Sequence, residues 1–277
     1  MKTNYHMHTT FCDGSDTVEA MAEAAFEKQF DIIRFSSHSM YPFAGDCHIA
    51  PREFNNYVST VRNAAKAYEG RMQILLGFEV DYMPGLSIPR MSDYAAFQPD
   101  YLIGSVHYLI TENGTFSVDD KTEKVKEGLE RFFKGNAKEA VCMYFALQRE
   151  MLQKGDFLIW GHPDVIRKRN GILHFFDESE SWYRSELVAT ANSAKHSGVI
   201  AEINTGGIAR GAIDDVYPSA DFLSLLYASG VPVMINSDAH RAEDIDCAFD
   251  RAEAAAKKAG YTEVLFLDAG FIKHRKI

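Results

Sequence analysis

The feature that most constrains this chain is where its metal-ligand side chains fall. One short apolar run after another ends in histidine or carboxylate: YHMHTTFCDG (5–14), IIRFSSH (32–38), ILLGFEVD (74–81), YLIGSVH (101–107), FLIWGH (157–162), VIAEIN (199–204) and VPVMINSDAH (231–240). At or just beyond their ends stand His6, His8, His38, Glu79, His107, His162, Asp238 and His240. Imidazole and carboxylate are the groups that borderline divalent metals take. Helical segments fill the gaps. TVEAMAEAAFEKQ (17–29) puts Val18, Met21, Ala22, Ala25 and Phe26 on one face. The segments 53–70, 136–155, 181–198, 219–230 and 244–260 each close on a glycine, a helix-ending signal.

Strands alternating with helices predict parallel strands joined by crossovers. Such crossovers either open into a doubly wound sheet or close into a barrel. An open sheet gathers only the few strand ends at its switch point. Here nearly every strand contributes a ligand, so the expectation is an α/β fold of the TIM-like barrel kind, with its chemistry at the C-terminal strand ends. No linker or composition shift divides the chain, which reads as one domain over 1–277. The irregular stretches 37–52, 82–98 and 108–122 all follow strands and are expected to wall the pocket.

Composition narrows the partners. Apolar residues make up 46% of the 277, enough for a sizeable core, and the formal charge of −10 argues against a long nucleic acid. The four cysteines are scattered with no C-x-x-C pair, which fits a reducing compartment. No run approaches the length of a membrane span, and the N-terminus lacks a signal-peptide pattern. A cytoplasmic protein with no membrane partner is expected. The residues specify no oligomeric state.

His6 and His8 are two apart on a strand, so both rings can point to one side and grip one ion. An H-x-H pair is also common by chance. Asp238 and His240 repeat the spacing after the buried run VPVMIN, where a lone carboxylate is costly unless metal-bound or paired with the histidine. Glu79 follows Ile74, Leu75, Leu76 and Phe78, and a carboxylate can bridge two ions, so it is the bridging candidate. Asp81 lies further out on the same side, facing either the pocket or a ligand. His38, His107 and His162 stand alone, and a lone histidine is more often a hydrogen-bonded core residue. Their shared place at strand ends argues for ligation. Asp13 is a turn former or folds back onto a metal. His196 and His274 read as surface residues, and His48 as a loop residue.

Together H-M-H-T-x-F-C-D-G near the start, S-x-H at 36–38, G-F-E at 77–79, G-S-V-H at 104–107, G-H at 161–162 and S-D-A-H at 237–240 resemble the polymerase-and-histidinol-phosphatase (PHP) superfamily. Within it the chain resembles the histidinol-phosphate phosphatase branch. The further cues are Asp81-Tyr82, Ser105-Val106-His107-Tyr108-Leu109, His162-Pro163-Asp164 with Arg167, Glu202-Ile203-Asn204-Thr205-Gly206-Gly207 with Arg210, and Tyr217-Pro218-Ser219. The loop 108–122 and the segment 167–179 depart from that branch. The resemblance implies a distorted (β/α)7 barrel holding two or three divalent ions (Zn, Mn or Fe). It groups His6, His8, Glu79 and Asp238 on one, Glu79, His107 and His162 on a second, and Asp13, His38 and His240 on a third.

The implied reaction is hydrolysis of L-histidinol phosphate, by in-line attack of a metal-bridging hydroxide. Glu79, Asp238 and His240 are expected at the reacting centre, and His240 or a water serves the leaving alcohol. Arg167 and Arg210 follow different strands and are expected to clamp the phosphate. Asp81, Ser105 and Tyr108 are expected on substrate, and Asp119 and Asp120 either as solvated turn residues or against an amino group of the substrate. No P-loop is present. Other readings use the same residues: another small phosphate ester or a nucleotide as substrate, an amidohydrolase-like reaction, or metal holding without turnover.

Overall fold

In the computed structural model, the described residues are 1–39, 41, 47–268 and 270–277. Seven parallel strands pair in chain order: Thr3–Asn4, Ile32–Phe35, Gln73–Asp81, Tyr101–Ser105, Ile159–Trp160, Ile200–Asn204 and Val233–Asn236. Helices cross between them on the outside. The ring nearly closes, because Met7 bridges Ala239 in parallel and the His8 N–H donates to the Ala239 carbonyl at 2.8 Å. This is the expected distorted seven-stranded barrel.

Strand alternation positions the site. On the third strand, Leu76, Phe78 and Val80 pack outward with Phe54 and Tyr57 of the helix Phe54–Ala67. The alternate set Leu75, Gly77, Glu79 and Asp81 therefore faces the barrel interior. Gly77 is required there, since a Cβ would run into the Tyr101 ring of the next strand. The interior is layered. Its floor is apolar, with Tyr5, Ile32, Tyr101, Ile103, Ile159, Ile200 and Met234 packed on Leu265, Phe266 and Leu267. The last three belong to the antiparallel hairpin Glu263–Asp268 and Phe271–Lys276, which plugs the barrel from below. Arg34 lies in this floor between the Tyr5 and Tyr101 rings, 4.7 and 4.8 Å from their centroids. Polar and charged residues begin one step up, with Glu79, Ser105, Glu202 and Asn236, all buried.

Some expectations are corrected. Phe26 does not join Val18, Met21, Ala22 and Ala25 in the core. It is 40% exposed, with the Tyr68 ring and the Arg71 guanidinium against it. The last crossover helix begins at Phe249, after a turn, and not at 244. The stretch 108–122 is largely ordered, as a hairpin of Tyr108–Thr111 and Gly114–Ser117 leading into the helix Thr122–Phe133. The stretch 82–98 lies away from the pocket, because its 3-10 turn Met91–Phe97 packs Tyr94 and Phe97 onto Phe78. Of the stretch 37–52, residues 40 and 42–46 lie outside the described ones. No described helix is long and apolar enough to cross a membrane.

Candidate metal centre

The nine expected ligands converge at the C-terminal rim of the barrel. Glu79 is fully buried at the centre. Its Oε2 is 3.0 Å from His6 Nε2, 3.3 Å from His8 Nε2 and 3.2 Å from His38 Nδ1. Its Oε1 is 2.9 Å from His162 Nε2 and 3.7 Å from His107 Nε2. Asp238 Oδ1 lies 3.1 Å from His8 Nε2 and 3.6 Å from His6 Nε2. Asp13 closes the outer side, at 3.3 Å from His240, 3.6 Å from His8 and 3.8 Å from His38. Four sets have ligand atoms all within 4.8 Å of one another: His8, Asp13, His38 and His240; His6, His8 and Asp238; His6, Glu79 and His162; His38, Glu79 and His107. They overlap through His6, His8, His38 and Glu79, so they form one contiguous cluster.

The backbone is bent to achieve this. His162 and Asp238 have φ of 24° and 51°, in the left-handed region that costs a side-chain-bearing residue about 1–3 kcal/mol. Ile159 and Gly161 occupy the inward register of their strand, so His162 reaches the interior only by this twist. Both residues leave the strand geometry where they meet the cluster.

The electrostatics fit bound cations. Burial disfavours charge on His6, but Glu202, Glu79 and Asp238 outweigh it and push its pKa up to about 10. Burial likewise opposes His107, and Asp81 and Glu79 push it up to about 10. Burial, with the His8 and His107 charges, takes His38 down to about 4. Burial works against the ionised forms of Glu79 and Asp238, yet the surrounding histidines, and Arg210 for Asp238, hold both well below the carboxylate range. His8 Nε2 is buried without a hydrogen bond of good geometry, and His107 Nε2 faces His162 Nε2 at 3.2 Å. Ring nitrogens directed at one another and at carboxylates suit a cluster of divalent ions. The donor set fits such ions.

A ring of buried partners orients the ligands. Asp81 accepts from His107 Nδ1 at 3.0 Å and from the His107 N–H at 2.7 Å, and Tyr41 donates to its other oxygen. Ser105 Oγ donates to Glu79 Oε1 at 2.6 Å. Ser105 was expected on substrate and Asp81 on either the pocket or a ligand; both stand behind the ligands and off the pocket wall, so Asp81 follows the second reading. Glu202 accepts from His6 Nδ1 at 2.7 Å, the His162 N–H at 2.9 Å, Asn204 at 2.8 Å and Asn236 at 2.9 Å. Glu202 was given no role from the sequence, although VIAEIN carries the signal: an acid two positions beyond Ile200, in the inward register that marks Glu79.

The cluster floors a pocket of about 190 Å³. Its wall includes Tyr41, Cys47, Tyr108, Asp119, Lys168 and Arg210. Tyr108 and Arg210, expected on substrate, thus both line the pocket. Arg210 also binds Asp238, through NH2 to Oδ2 and NH1 to the carbonyl, both at 2.9 Å. Gly206 permits this approach, since a Cβ there would sit 2.7 Å from Arg210 NH2 and 2.9 Å from Asp238 Oδ2. Arg167 is not brought to the pocket: its Nε donates to Glu178 at 2.6 Å and its NH2 to Asp215 at 3.1 Å. Asp119 is not a solvated turn residue, since it lines the pocket and accepts from Lys168 Nζ at 2.8 Å. His48 is buried against the Tyr41 ring, while His196 and His274 are exposed.

The chain is 26% identical to a Deinococcus radiodurans protein named "Probable histidinol-phosphatase", over 98% of this chain and 96% of the relative. It is 24% identical to the histidinol-phosphatase of Bacillus subtilis, over 90% and 97%. Among solved structures, a hisK protein of Listeria monocytogenes superposes with a TM-score of 0.80 at 22% identity, covering 90% of this chain and 99% of that one. Histidinol phosphate phosphatase of Lactococcus lactis, complexed with zinc, L-histidinol and phosphate, gives 0.69 at 17% identity, covering 98% of each. These two likenesses establish the shared fold. The PHP domain model matches residues 4–206, from the end of the first strand, just before His6, to the turn that leads to Arg210, and the chain belongs to that family.

Proposed function

We propose that this chain is a metal-dependent phosphomonoesterase that hydrolyses L-histidinol phosphate to L-histidinol and phosphate, a step of histidine synthesis. The observation that carries the reading is Glu79, one buried carboxylate within reach of five histidines beneath a small pocket. The names of the relatives, which match over nearly their full length, support the same substrate. So does the zinc, histidinol and phosphate held by the Lactococcus lactis structure.

Two or three divalent ions (Zn, Mn or Fe) on His6, His8, Asp13, His38, Glu79, His107, His162, Asp238 and His240 would offset the charge of a phosphate dianion and make water a nucleophile at neutral pH. The chain's own residues set the geometry. Asp81 and Glu202 hold a proton of His107 and His6 on Nδ1, so that Nε2 is the atom each ring offers to an ion once its own proton is displaced. Ser105 fixes one Glu79 oxygen, and Arg210 fixes Asp238 while lining the pocket. Tyr41, Cys47 and Tyr108, on the wall of the pocket of about 190 Å³, are the groups offered to the alcohol portion. His240 also lines this pocket, 2.9 Å from Arg210 NH1, and is the side chain offered to the leaving alcohol. Four free thiols suit a reducing compartment, and we place the protein in the cytoplasm.

The test is phosphate release by protein loaded with Mn²⁺ or Zn²⁺, comparing histidinol phosphate, mononucleotides and an aryl phosphate. A strong preference for histidinol phosphate is expected. A preference for nucleotides would move the substrate and keep the chemistry. Amide cleavage without phosphate release would overturn both.

A further inference from the structure

We propose that Lys168, the residue after the expected arginine, is the second cation that holds the substrate's phosphate, opposite Arg210. This rests on the phosphomonoesterase reading and names the group that recognises the anion.

Arg167 and Lys168 lie in the 3-10 turn Val165–Arg169. Successive residues of such a turn point about 120° apart, so only one of the two can face the barrel axis. Arg167 faces away among carboxylates, its Nε on Glu178 and its NH2 on Asp215, with NH1 3.6 Å from Asp164. Lys168 faces the pocket and is only 9% exposed. Its ammonium carries three N–H donors, and one is taken by Asp119 at 2.8 Å. Two donors are left to meet an anion.

The charge pattern of the pocket calls for this. Asp13, Glu79, Asp119 and Asp238 all line it, and Lys168 and Arg210 are the lysine and arginine on its described wall. Arg210 is largely committed, with NH1 and NH2 both engaged by Asp238. A phosphate dianion entering beside these carboxylates needs a cation that can turn towards it. A compact ammonium on a flexible stem does this better than a guanidinium held in place. Asp119 then acts as a placeholder. It neutralises Lys168 while the pocket is empty and yields donors, not the whole charge, to the phosphate.

The competing role is structural: the pair could simply tie residues 118–120 to the 165–169 turn. Two variants separate the roles, because a tie is lost equally from either end. Zinc-loaded wild type, Lys168→Met and Asp119→Asn are titrated with inorganic phosphate by calorimetry, with metal content measured in parallel. Lys168→Met is expected to weaken phosphate about ten- to a hundredfold at unchanged metal content. Lys168→Arg should restore part of that loss. Asp119→Asn removes the competing carboxylate and should keep or tighten phosphate binding. Equal weakening in the methionine and asparagine variants, unchanged affinity in Lys168→Met, or no phosphate binding by wild type would each overturn the assignment. Because binding is read without turnover, a protein that binds phosphate but hydrolyses no monoester sinks the enzymatic reading alone.

Discussion

Glu202→Gln is the most revealing single change, because it keeps shape and volume and alters only donors and charge. All four partners of Glu202 donate to it: His6 Nδ1 and Asn236 to Oε1, the His162 N–H and Asn204 to Oε2. A glutamine has one carbonyl end and one NH2 end, so either orientation sets an NH2 against two donors. Two hydrogen bonds to a charged acceptor are lost, at about 1.5–3 kcal/mol each, or about 3–6 kcal/mol of folding stability before relaxation. The protein can soften this by moving the His6 proton from Nδ1 to Nε2, so that Nδ1 accepts from the amide. Nε2–H then points at Glu79, 3.0 Å away, and the ring is lost as a ligand. Either way metal affinity should fall about 10–100-fold, the usual effect of removing a ligand's buried partner. Chelator competition reads the metal affinity and urea unfolding of the metal-free protein reads the stability. A glutamine variant that matches wild type in both, within twofold and within about 0.5 kcal/mol, would show that Glu202 does not set the His6 tautomer.

Glu79→Gln should lose bound metal and phosphatase activity together, because the shared charge is gone; elemental analysis alongside the assay checks it, and full activity would mean the bridge lies elsewhere. Arg210 reads from sequence as a phosphate clamp, but its hold on Asp238 implies a second effect of Arg210→Ala. The expectation is now a raised KM together with metal binding weakened about tenfold, and unchanged metal content would show that Asp238 stands without it. Metal binding should depend on pH with a definite sign. The metal-free pKa values of His6 and His107, raised to about 10, mean both rings carry a proton at neutral pH that an ion must displace. Affinity should therefore rise with pH until about 10, with proton release measurable by calorimetry in buffers of different ionisation heat. The same raised values stabilise the metal-free fold fully below the ordinary histidine pKa, a contribution that fades as pH climbs through about 10.

Much of the fold was legible because two periodicities were written cleanly. Runs such as ILLGFEVD are apolar on both faces at their start and acidic only at their end, which is what a strand buried by helices outside and a barrel core inside requires. The hairpin at 108–117 was missed because its residues, TENGT at the tip, read as turn, and its buried contacts are few: Leu109 and Phe116 in the core, with Tyr108 only partly buried. Phe26 was placed wrongly because helical spacing gives an angle, while burial depends on what lies opposite. At that angle stand Tyr68 and Arg71 at the surface, and no core element.

The site divides along the same physical line. A ligand such as His8 or Asp238 betrays itself in sequence because its own strand would otherwise bury a polar group without recompense. The partners that orient the ligands are only half legible: Asp81 and Glu202 are acids in the same inward register, but which ligand each one holds, and the part of Ser105, are set by residues far away in the chain. Glu202 alone accepts from partners 40 and 196 positions distant. Phosphate recognition is harder still. Arg167 and Lys168 are adjacent cations, and no property of either residue says which one the turn points inward. That is settled by the three acids Asp164, Glu178 and Asp215, which gather around Arg167 and hold it outside. Replacing them should therefore redirect the guanidinium without touching the pocket. In Glu178→Gln with Asp215→Asn the arginine loses both of its short ion pairs and is free to compete with Lys168. Lys168→Met should then weaken phosphate binding less in that background than in the wild type. An identical loss in both backgrounds would show that the turn geometry, and not carboxylate capture, fixes which cation meets the phosphate.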